Sequence, residues 1–416
     1  MVARVTVGGM TTVQGTCAPR FAEVAEEFER NLVERGEVGA SVCVTLEGET
    51  VVDLWGGIAD PASGRPWQED TICLVWSSTK GAAALCAHML VSRGELDLDA
   101  AVADVWPEFA KHGKDQITVR QLLAHQAGLA AVTEPIPDGG LCDWDLVVDL
   151  LARQEPLWEP GTRNGYHALT FGHLVGELVR RIDGRSLGTF FAEEVAGPLD
   201  LDFWIGLPEE LEPRVADIIS AEMPADLADL PVFYQQALAD PASIPGLVLL
   251  NSGGLMLPGA INTRAVRAAE IPAANGVANA RGLAGMYRPL ALGGAVDGFR
   301  LLSESTLVEA TRVASATSVD AVLQVPTRFA LGFMRSMDNR HHGGIESSVL
   351  LSEDAFGHAG AGGSLGIADP GARMSFGYAM NKQGGGLGMN VRGQALADAV
   401  YRALGYRQPA DGGLWF

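Results

Sequence analysis

One serine and one lysine stand three residues apart in an apolar segment, and that spacing can support nucleophilic chemistry. Residues 76–81 have the sequence WSSTKG, and of the chain's four lysines only Lys80 has a serine, Ser77, three positions before it. On a helix, residues i and i+3 share a face, so the Ser77 hydroxyl and the Lys80 amine can meet. A free serine hydroxyl needs a base, and lysine can be that base when burial lowers its pKa towards neutrality. The pattern therefore indicates an activated serine. The alternative is a helix-capping serine beside a lysine whose amine reaches solvent.

Two further segments could complete such a site. Residues 164–172 have the sequence NGYHALTFG, which places Tyr166 shortly after a Pro-Gly turn at 160–161. Residues 357–364 have the sequence GHAGAGGS, which places His358 just before a run of small residues. Each segment is weakly informative alone, and their order and spacing carry the signal.

Together these segments resemble the serine β-lactamase and penicillin-binding-protein superfamily, in which S-x-x-K carries the nucleophile. The resemblance is strongest to the class C branch and to the related family VIII carboxylesterases. The segment at 164–172 resembles the family's tyrosine motif, and 357–364 resembles its K-T-G strand with His358 in place of the lysine. Framework segments at 40–57, 118–129 and 376–381 extend the resemblance to about residues 20–405.

The resemblance implies roles for three side chains. Ser77 would attack the acyl carbon and become acylated, and Lys80 would take or relay the hydroxyl proton. Tyr166 would act with Lys80 as general base and later protonate the leaving group. A phenol has a pKa near 10, so an adjacent ammonium ion would have to depress the pKa of Tyr166.

The resemblance also implies how the substrate is held. The oxyanion hole would consist of the backbone N–H groups of Ser77 and of Ala361, which would lie on an edge strand. The implied substrate-binding residues are His358, Ala359 and Gly360, where small residues let a substrate approach the backbone. For His358 a proton relay, a hydrogen-bond donor to substrate and plain packing all stay open.

Two departures from the β-lactamase pattern bear on the substrate. Ala168 stands where Y-x-N enzymes have an asparagine, and His358 is mostly neutral at pH 7 where the family has a charged lysine. Both changes weaken recognition of an anionic, peptide-like substrate. We therefore expect a metal-free, cofactor-free carboxylesterase that acts on small or medium acyl esters through an acyl-enzyme. The alternatives are a β-lactamase, a D-amino peptidase or an acyltransferase on the same scaffold, and a binding protein without turnover.

A second serine also lies in a pattern known from enzyme nucleophiles. Residues 362–366 fit G-x-S-x-G around Ser364, the nucleophile elbow of α/β-hydrolases. That fold places its histidine after the serine, and no histidine follows Ser364. We interpret these glycines as spacing at a strand edge.

Hydrophobic periodicity predicts the elements that must position these residues. The helices that we predict lie at 18–36, 78–94, 117–124, 144–153, 169–182 and 391–404. A hairpin at 39–56 should turn at 47–49, strands should lie at 328–336, 363–368 and 373–380, and 205–260 should form loops and short helices. The region 205–345 should shape the pocket. This order predicts an α/β (α+β) fold, with an antiparallel sheet flanked by helices and an inserted, mostly helical domain. We place the sheet domain at 18–85 and 325–416, and the insert at 86–324.

The amino-acid composition argues against several classes of protein and of function. Hydrophobic residues make up 47% of the 416 residues and charged residues 19%, which supports a large core and excludes wholesale disorder. The formal net charge of −21 argues against binding to nucleic acid or to anionic membranes. Five scattered cysteines without C-x-x-C argue against a disulfide framework, and the histidines form no zinc-binding spacing. We expect a cytoplasmic enzyme without a transmembrane segment, and its oligomeric state stays open.

Overall fold

A large antiparallel sheet forms the centre of the computed structural model, which describes residues 3–4, 13–222, 224–343, 345–410 and 412–416. The strands are β1 (Ala3–Arg4), β2 (Val13–Cys17), β3 (Gly39–Leu46), β4 (Glu49–Asp60), β5 (Arg65–Pro66), β6 (Ile72–Leu74), β7 (Phe203–Trp204), β8 (Val215–Ala216), β9 (Val277–Ala278), β10 (Ala295–Val296), β11 (Phe299–Arg300), β12 (Ser315–Thr317), β13 (Thr327–Phe329), β14 (Met334–Arg335), β15 (Phe356–Ala359), β16 (Leu365–Asp369) and β17 (Met374–Met380). The order in the large sheet is β1-β2-β4-β3-β17-β16-β15-β14-β13-β12, with β5 paired to β4.

Helices cover both faces of this sheet. They are α1 (Ala22–Glu34), α2 (Thr79–Ser92), α3 (Val102–Val105), α4 (Val119–Leu123), α5 (Trp144–Arg153), α6 (Thr170–Asp183), α7 (Leu187–Phe191), α8 (Val232–Ala239), α9 (Ile244–Leu250), α10 (Arg264–Ala268), α11 (Ala280–Ala291), α12 (Glu304–Thr311), α13 (Arg340–Gly343) and α14 (Val391–Leu404). α1 and α14 pack together on one face, and α11 packs along β3, β16 and β17 on the other. α2 lies in the largest hydrophobic cluster of the described residues, where it contacts α6 and α7.

Strands from the two ends of the chain join in one sheet, as the sequence predicts. β17 pairs antiparallel with β3 over seven residues, from Met374 opposite Leu46 to Met380 opposite Ala40. The hairpin of β3 and β4 turns at Glu47 and Gly48, which both have positive φ, at 53° and 87°. A two-residue turn with this geometry matches the right-handed twist of the flanking strands. The predicted fold class is confirmed.

The predicted strand at 328–336 is wrong. Two short antiparallel strands, β13 and β14, occupy this stretch instead. The chain turns between them at Gly332, whose φ is +84° and whose Cα lies so close to Ala84 that a Cβ would come within 2.5 Å of it. Alternation of apolar residues cannot reveal such a turn, because β13 and β14 both continue the same pattern. The sequence analysis also missed β2, which pairs with β4.

The predicted helices at 117–124, 144–153, 169–182 and 391–404 correspond to α4, α5, α6 and α14. The predicted division into a sheet domain (18–85 and 325–416) and an insert (86–324) stays a prediction. Within 86–324, α11 and β12 contribute to the sheet layer. Of the helices that the structure describes, none is both long and apolar enough to cross a membrane.

Candidate active site

The predicted nucleophile lies at the start of α2. A single 3₁₀ turn, Trp76–Ser78, leads into the helix, and Trp76 adopts a left-handed φ of +47° that is rare for a residue with a side chain. Ser77 is half-buried, whereas Lys80, one turn further on, has 0% exposed surface. Strained backbone at such a turn is typical of functional sites.

The Lys80 amine is held by three oxygens. Its Nζ lies 3.1 Å from Ser77 Oγ, 2.6 Å from the carbonyl oxygen of Ala168 and 2.8 Å from that of Ala273. The same atom stands 4.7 Å from the centroid of the Tyr166 ring. Burial holds the pKa of Lys80 well below its usual value of 10.5. The amine is therefore placed, and electrostatically biased, to act as a base towards Ser77.

Tyr166 meets the Ser77–Lys80 pair from the loop before α6. Burial raises the pKa of Tyr166, and a hydrogen bond with Ser77 opposes that shift without cancelling it. The resemblance implies that an ammonium ion on Lys80 would depress this pKa, whereas burial shifts it upwards. Because Lys80 is buried, it favours the neutral amine, and Tyr166 keeps its proton at neutral pH.

His358 lies behind Tyr166. Its Nδ1 is 2.7 Å from the carbonyl oxygen of Ala359, which can only accept, so Nδ1 carries the ring proton. Its Nε2 is 3.4 Å from the Tyr166 hydroxyl oxygen and is left as an acceptor. Burial and then the charge of Lys80 lower the pKa of His358 to about 3. The imidazole is therefore neutral and accepts a long hydrogen bond from the phenol.

Asp320 is a buried group that the sequence analysis missed. Its carboxylate accepts the backbone N–H of Tyr166 at 3.0 and 3.1 Å, those of Val322 and Leu323 at 2.8 and 2.9 Å, and the hydroxyl of Thr327 at 3.3 Å. Burial raises the pKa of Asp320, and these hydrogen bonds oppose the shift. No sequence signal marks it, since a single aspartate in a loop is common.

The turn between β15 and β16 carries the second predicted oxyanion donor. Gly360 N–H donates to the Ser364 carbonyl at 2.8 Å, and Gly363 N–H donates to the Gly360 carbonyl at 2.9 Å. Neither of these two bonds uses the N–H of Ala361. β15 is not at the sheet edge, but β14 pairs only with Gly357 and Phe356, so the His358–Ala359 end of β15 has no neighbour on that side. A strand, β16, follows Ser364, so the turn is not a nucleophile elbow, as predicted.

An apolar cavity opens onto Ser77. It is lined by Trp76, Ser77, Tyr166, Ala168, Leu169, Phe233, Tyr234, Val248, Leu249, Met256, Ala274, Leu323, Met334, Ala359, Ala361 and Leu387. None of these side chains is charged. Of the three residues predicted to bind substrate, Ala359 lines this cavity, whereas His358 and Gly360 do not. Among the residues that the structure describes, no group of three or more His, Cys, Asp or Glu could hold a metal ion.

The chain as a whole is similar to several known proteins. A family model described as Beta-lactamase matches residues 24–401. The Esterase/beta-lactamase LipL of Mycobacterium tuberculosis is 38% identical over 379 residues, which cover 89% of this chain and 83% of that protein. The crystal structure of a family VIII carboxylesterase is 40% identical with a TM-score of 0.82, over 94% of this chain and 99% of that one. A penicillin-binding-protein homologue from Caulobacter crescentus is 39% identical with a TM-score of 0.81, over the same two shares. The resemblance stated from the motifs is confirmed, and the chain belongs to the Beta-lactamase family.

Proposed function

We propose that this protein is a serine carboxylesterase that hydrolyses small or medium acyl esters through an acyl-enzyme on Ser77. The observation that carries the proposal is the buried Lys80 amine 3.1 Å from Ser77 Oγ, at the mouth of an uncharged apolar cavity. Relatives whose names include esterase, LipL and the Esterase EstB of Burkholderia gladioli, support the same activity.

The hydrogen bonds of Lys80 support an arrangement in which the lone pair of its amine faces Ser77. A neutral amine has two N–H groups, and the carbonyl oxygens of Ala168 and Ala273 accept both. The lone pair is then left for the hydroxyl proton of Ser77. As Ser77 Oγ attacks the ester carbonyl carbon, this proton moves to Lys80, and the negative charge develops on the substrate oxygen. The N–H groups of Ser77 and Ala361 would stabilise that charge.

Tyr166 serves as a proton donor in this scheme. Because its pKa is raised, it stays a neutral phenol. At rest its one proton points to His358 Nε2, and the hydroxyl would turn this proton towards the departing alcohol oxygen beside Ser77. Lys80, protonated in the first step, resupplies the proton. The neutral His358 orients the phenol through Nε2 and does not contact the acyl group. Water then attacks the acyl-enzyme by the reverse sequence.

The cavity favours esters over anionic substrates. A β-lactam or a peptide carries a carboxylate, and among the residues that the structure describes no cationic side chain lines the cavity. His358, in the position of the family's lysine, is neutral because its pKa is about 3. Burying a carboxylate without a cation or hydrogen-bond donors is costly. Neutral acyl chains instead gain from burial against the aromatic and aliphatic wall.

Turnover of p-nitrophenyl butyrate tests the proposal. Ser77→Ala should abolish the reaction, and Ser63→Ala, in an exposed loop, should leave it unchanged. Turnover that survives Ser77→Ala at more than about a thousandth of the original rate would place the chemistry elsewhere. A nitrocefin rate equal to the ester rate would favour the β-lactamase alternative. Acyl transfer to an added alcohol in preference to water would favour the acyltransferase.

A cytoplasmic location is part of the proposal. It is supported by the five cysteines, which are all free thiols in the structure, as is usual in a reducing compartment. Fractionation of the native host, with the protein found outside the cytoplasmic fraction, would contradict it.

A further inference from the structure

Ser364, the serine of the rejected G-x-S-x-G motif, is buried between the two segments that carry the proposed oxyanion donors. Only 1% of its surface is exposed. Its hydroxyl donates to the carbonyl oxygen of Val75 at 2.7 Å, two residues before Ser77. Its Oγ also lies 3.1 Å from the hydroxyl oxygen of Ser78, the residue just after Ser77. One side chain thus holds the nucleophile turn from both sides.

The backbone of the same residue closes the opposite turn. The carbonyl oxygen of Ser364 accepts the N–H of Gly360 at 2.8 Å, and this bond shapes the turn that presents Ala361. Gly360 is required for the close approach, since a Cβ there would lie 2.2 Å from Ser364 Oγ and 2.3 Å from the Val75 carbonyl oxygen. Ser364 is therefore bonded at once to the segment of Ser77 and to the segment of Ala361.

This double attachment matters because the two N–H groups must converge on one oxygen atom. Ser77 and Ala361 belong to different elements, the turn before α2 and the turn after β15. Besides the bonds of Ser364, the Ser78 hydroxyl joins these segments by donating to the His358 carbonyl oxygen at 3.2 Å. An oxyanion hole works only when both donors stand 2.7–3.1 Å from the developing charge. A displacement of about 1 Å in such a site costs about 100-fold in rate.

We propose that Ser364 is a positioning residue that sets the spacing of the two oxyanion donors, an inference that rests on the proposed function. The hydroxyl proton of Ser364 is committed to the Val75 carbonyl, so Ser364 Oγ can only accept from Ser78. The single hydroxyl proton of Ser78 is shared between Ser364 Oγ and the His358 carbonyl oxygen, which lies 3.2 Å away. Ser364 takes no part in proton transfer and does not touch the substrate. Its effect is on the transition state and not on ground-state binding.

The test compares Ser364→Ala with a matched control. Ser375 is also a buried serine, and its Oγ donates to the Ala284 carbonyl at 2.8 Å and lies 2.7 Å from the Thr45 hydroxyl, away from the site. Steady-state rates on p-nitrophenyl butyrate, the melting temperature and the Ki of butylboronic acid are measured for both variants. The boronic acid forms a tetrahedral adduct with a serine and so reports on the oxyanion hole.

Ser364→Ala should lower kcat by about 10- to 100-fold with KM changed less than about threefold, and should raise the Ki of the boronic acid by a similar factor. Ser375→Ala should lower the melting temperature but should change neither kcat nor the Ki of the boronic acid. If Ser364→Ala does not fold, Ser364→Cys replaces it, since a thiol fits but donates weakly; a loss of kcat and boronate affinity is again expected.

Two results would overturn the positioning role. One is a kcat within about threefold of the unmodified enzyme in the folded Ser364 variant, and the other is an equal loss of kcat in Ser375→Ala. Failure of the proposed function would look different. In that case the unmodified protein would not turn over esters, or Ser77→Ala would not abolish the turnover.

Discussion

Both carboxylate oxygens of Asp320 accept the backbone N–H of Tyr166, at 3.0 and 3.1 Å. The same carboxylate accepts the N–H of Leu323, whose side chain lines the cavity. One buried charge thus joins the phenol of the site to the wall of the acyl pocket. No cationic side chain pairs with Asp320 among the described residues, so backbone N–H groups and one hydroxyl supply its stabilisation.

Asp320→Asn should therefore impair catalysis as well as stability. The amide keeps one acceptor oxygen and turns an NH₂ group towards N–H donors, which leaves buried groups unpaired at a cost of about 1–3 kcal/mol. We expect kcat on p-nitrophenyl butyrate to fall about tenfold or more, because Tyr166 loses its anchor. Asp369→Asn is the control, since Asp369 is buried and bonded to Ser352 and Tyr401 at 2.6 and 2.8 Å. Equal losses of kcat in both variants would contradict the specific role.

The base role of Lys80 predicts a defined pH dependence. The amine acts only when unprotonated, and its pKa lies well below 10.5. Activity should fall on the acid side as the pH drops through this lowered pKa, and should be level above it. Lys80→Met and Lys80→Arg should both lose about 10³-fold or more in kcat, since neither side chain can accept the proton. A rate that climbs without a plateau to pH 10 would show an ordinary lysine.

The lowered pKa of Lys80 also predicts how stability varies with pH. The folded protein disfavours the charged amine, so the unfolded chain binds more protons between the folded pKa and 10.5. The stability contributed by Lys80 is therefore greatest above pH 10.5 and falls as the pH drops towards the folded pKa. Lys80→Met removes this dependence, so it should be more stable than the unmodified protein at pH 7. The difference in melting temperature between Lys80→Met and the unmodified protein, measured from pH 6 to pH 10, should narrow as the pH rises. A difference that stays constant would contradict the lowered pKa of Lys80.

The proton-donor role of Tyr166 predicts a dependence on the leaving group. Tyr166→Phe removes the hydroxyl, so poor leaving groups, which need protonation, should suffer most. We expect about a 100-fold loss of kcat on ethyl butyrate and a clearly smaller loss on p-nitrophenyl butyrate. Tyr287→Phe is the control, because the Tyr287 hydroxyl is buried and has no hydrogen-bond partner within the described part of the chain. Equal losses of Tyr166→Phe on both esters would assign Tyr166 to another step.

A larger side chain in the acyl cavity should change which acyl-chain lengths the enzyme prefers. Val248 is buried on the cavity wall, whereas Leu250, on the same helix α9, is 49% exposed. Val248→Trp should reduce kcat/KM on p-nitrophenyl octanoate by about 10- to 100-fold more than on the acetate, as expected for overpacking of 1–3 kcal/mol. Leu250→Trp should leave the ratio unchanged. An unchanged ratio in Val248→Trp would show that the acyl chain binds elsewhere.

Local sequence determined much of this protein. The S-x-x-K spacing placed Ser77 and Lys80 on one turn because helical geometry is local, and apolar runs predicted α2, α14 and β17 for the same reason. The motif order was enough to indicate the family, and with it the fold. Periodicity failed at 328–336, where the chain turns at Gly332 with a φ of +84° and packs against Ala84, a residue far away in the sequence.

The tertiary structure alone decided the protonation states and the shape of the site. Lys80 becomes a base because distant segments bury it and supply the carbonyl oxygens of Ala168 and Ala273. Asp320 carries no signal in the sequence, and the motif around Ser364 points to a different fold. Both residues owe their places in the site to partners far along the chain. Burial and long-range hydrogen bonds depend on which segments meet in space, and a local pattern of residue types does not contain that information.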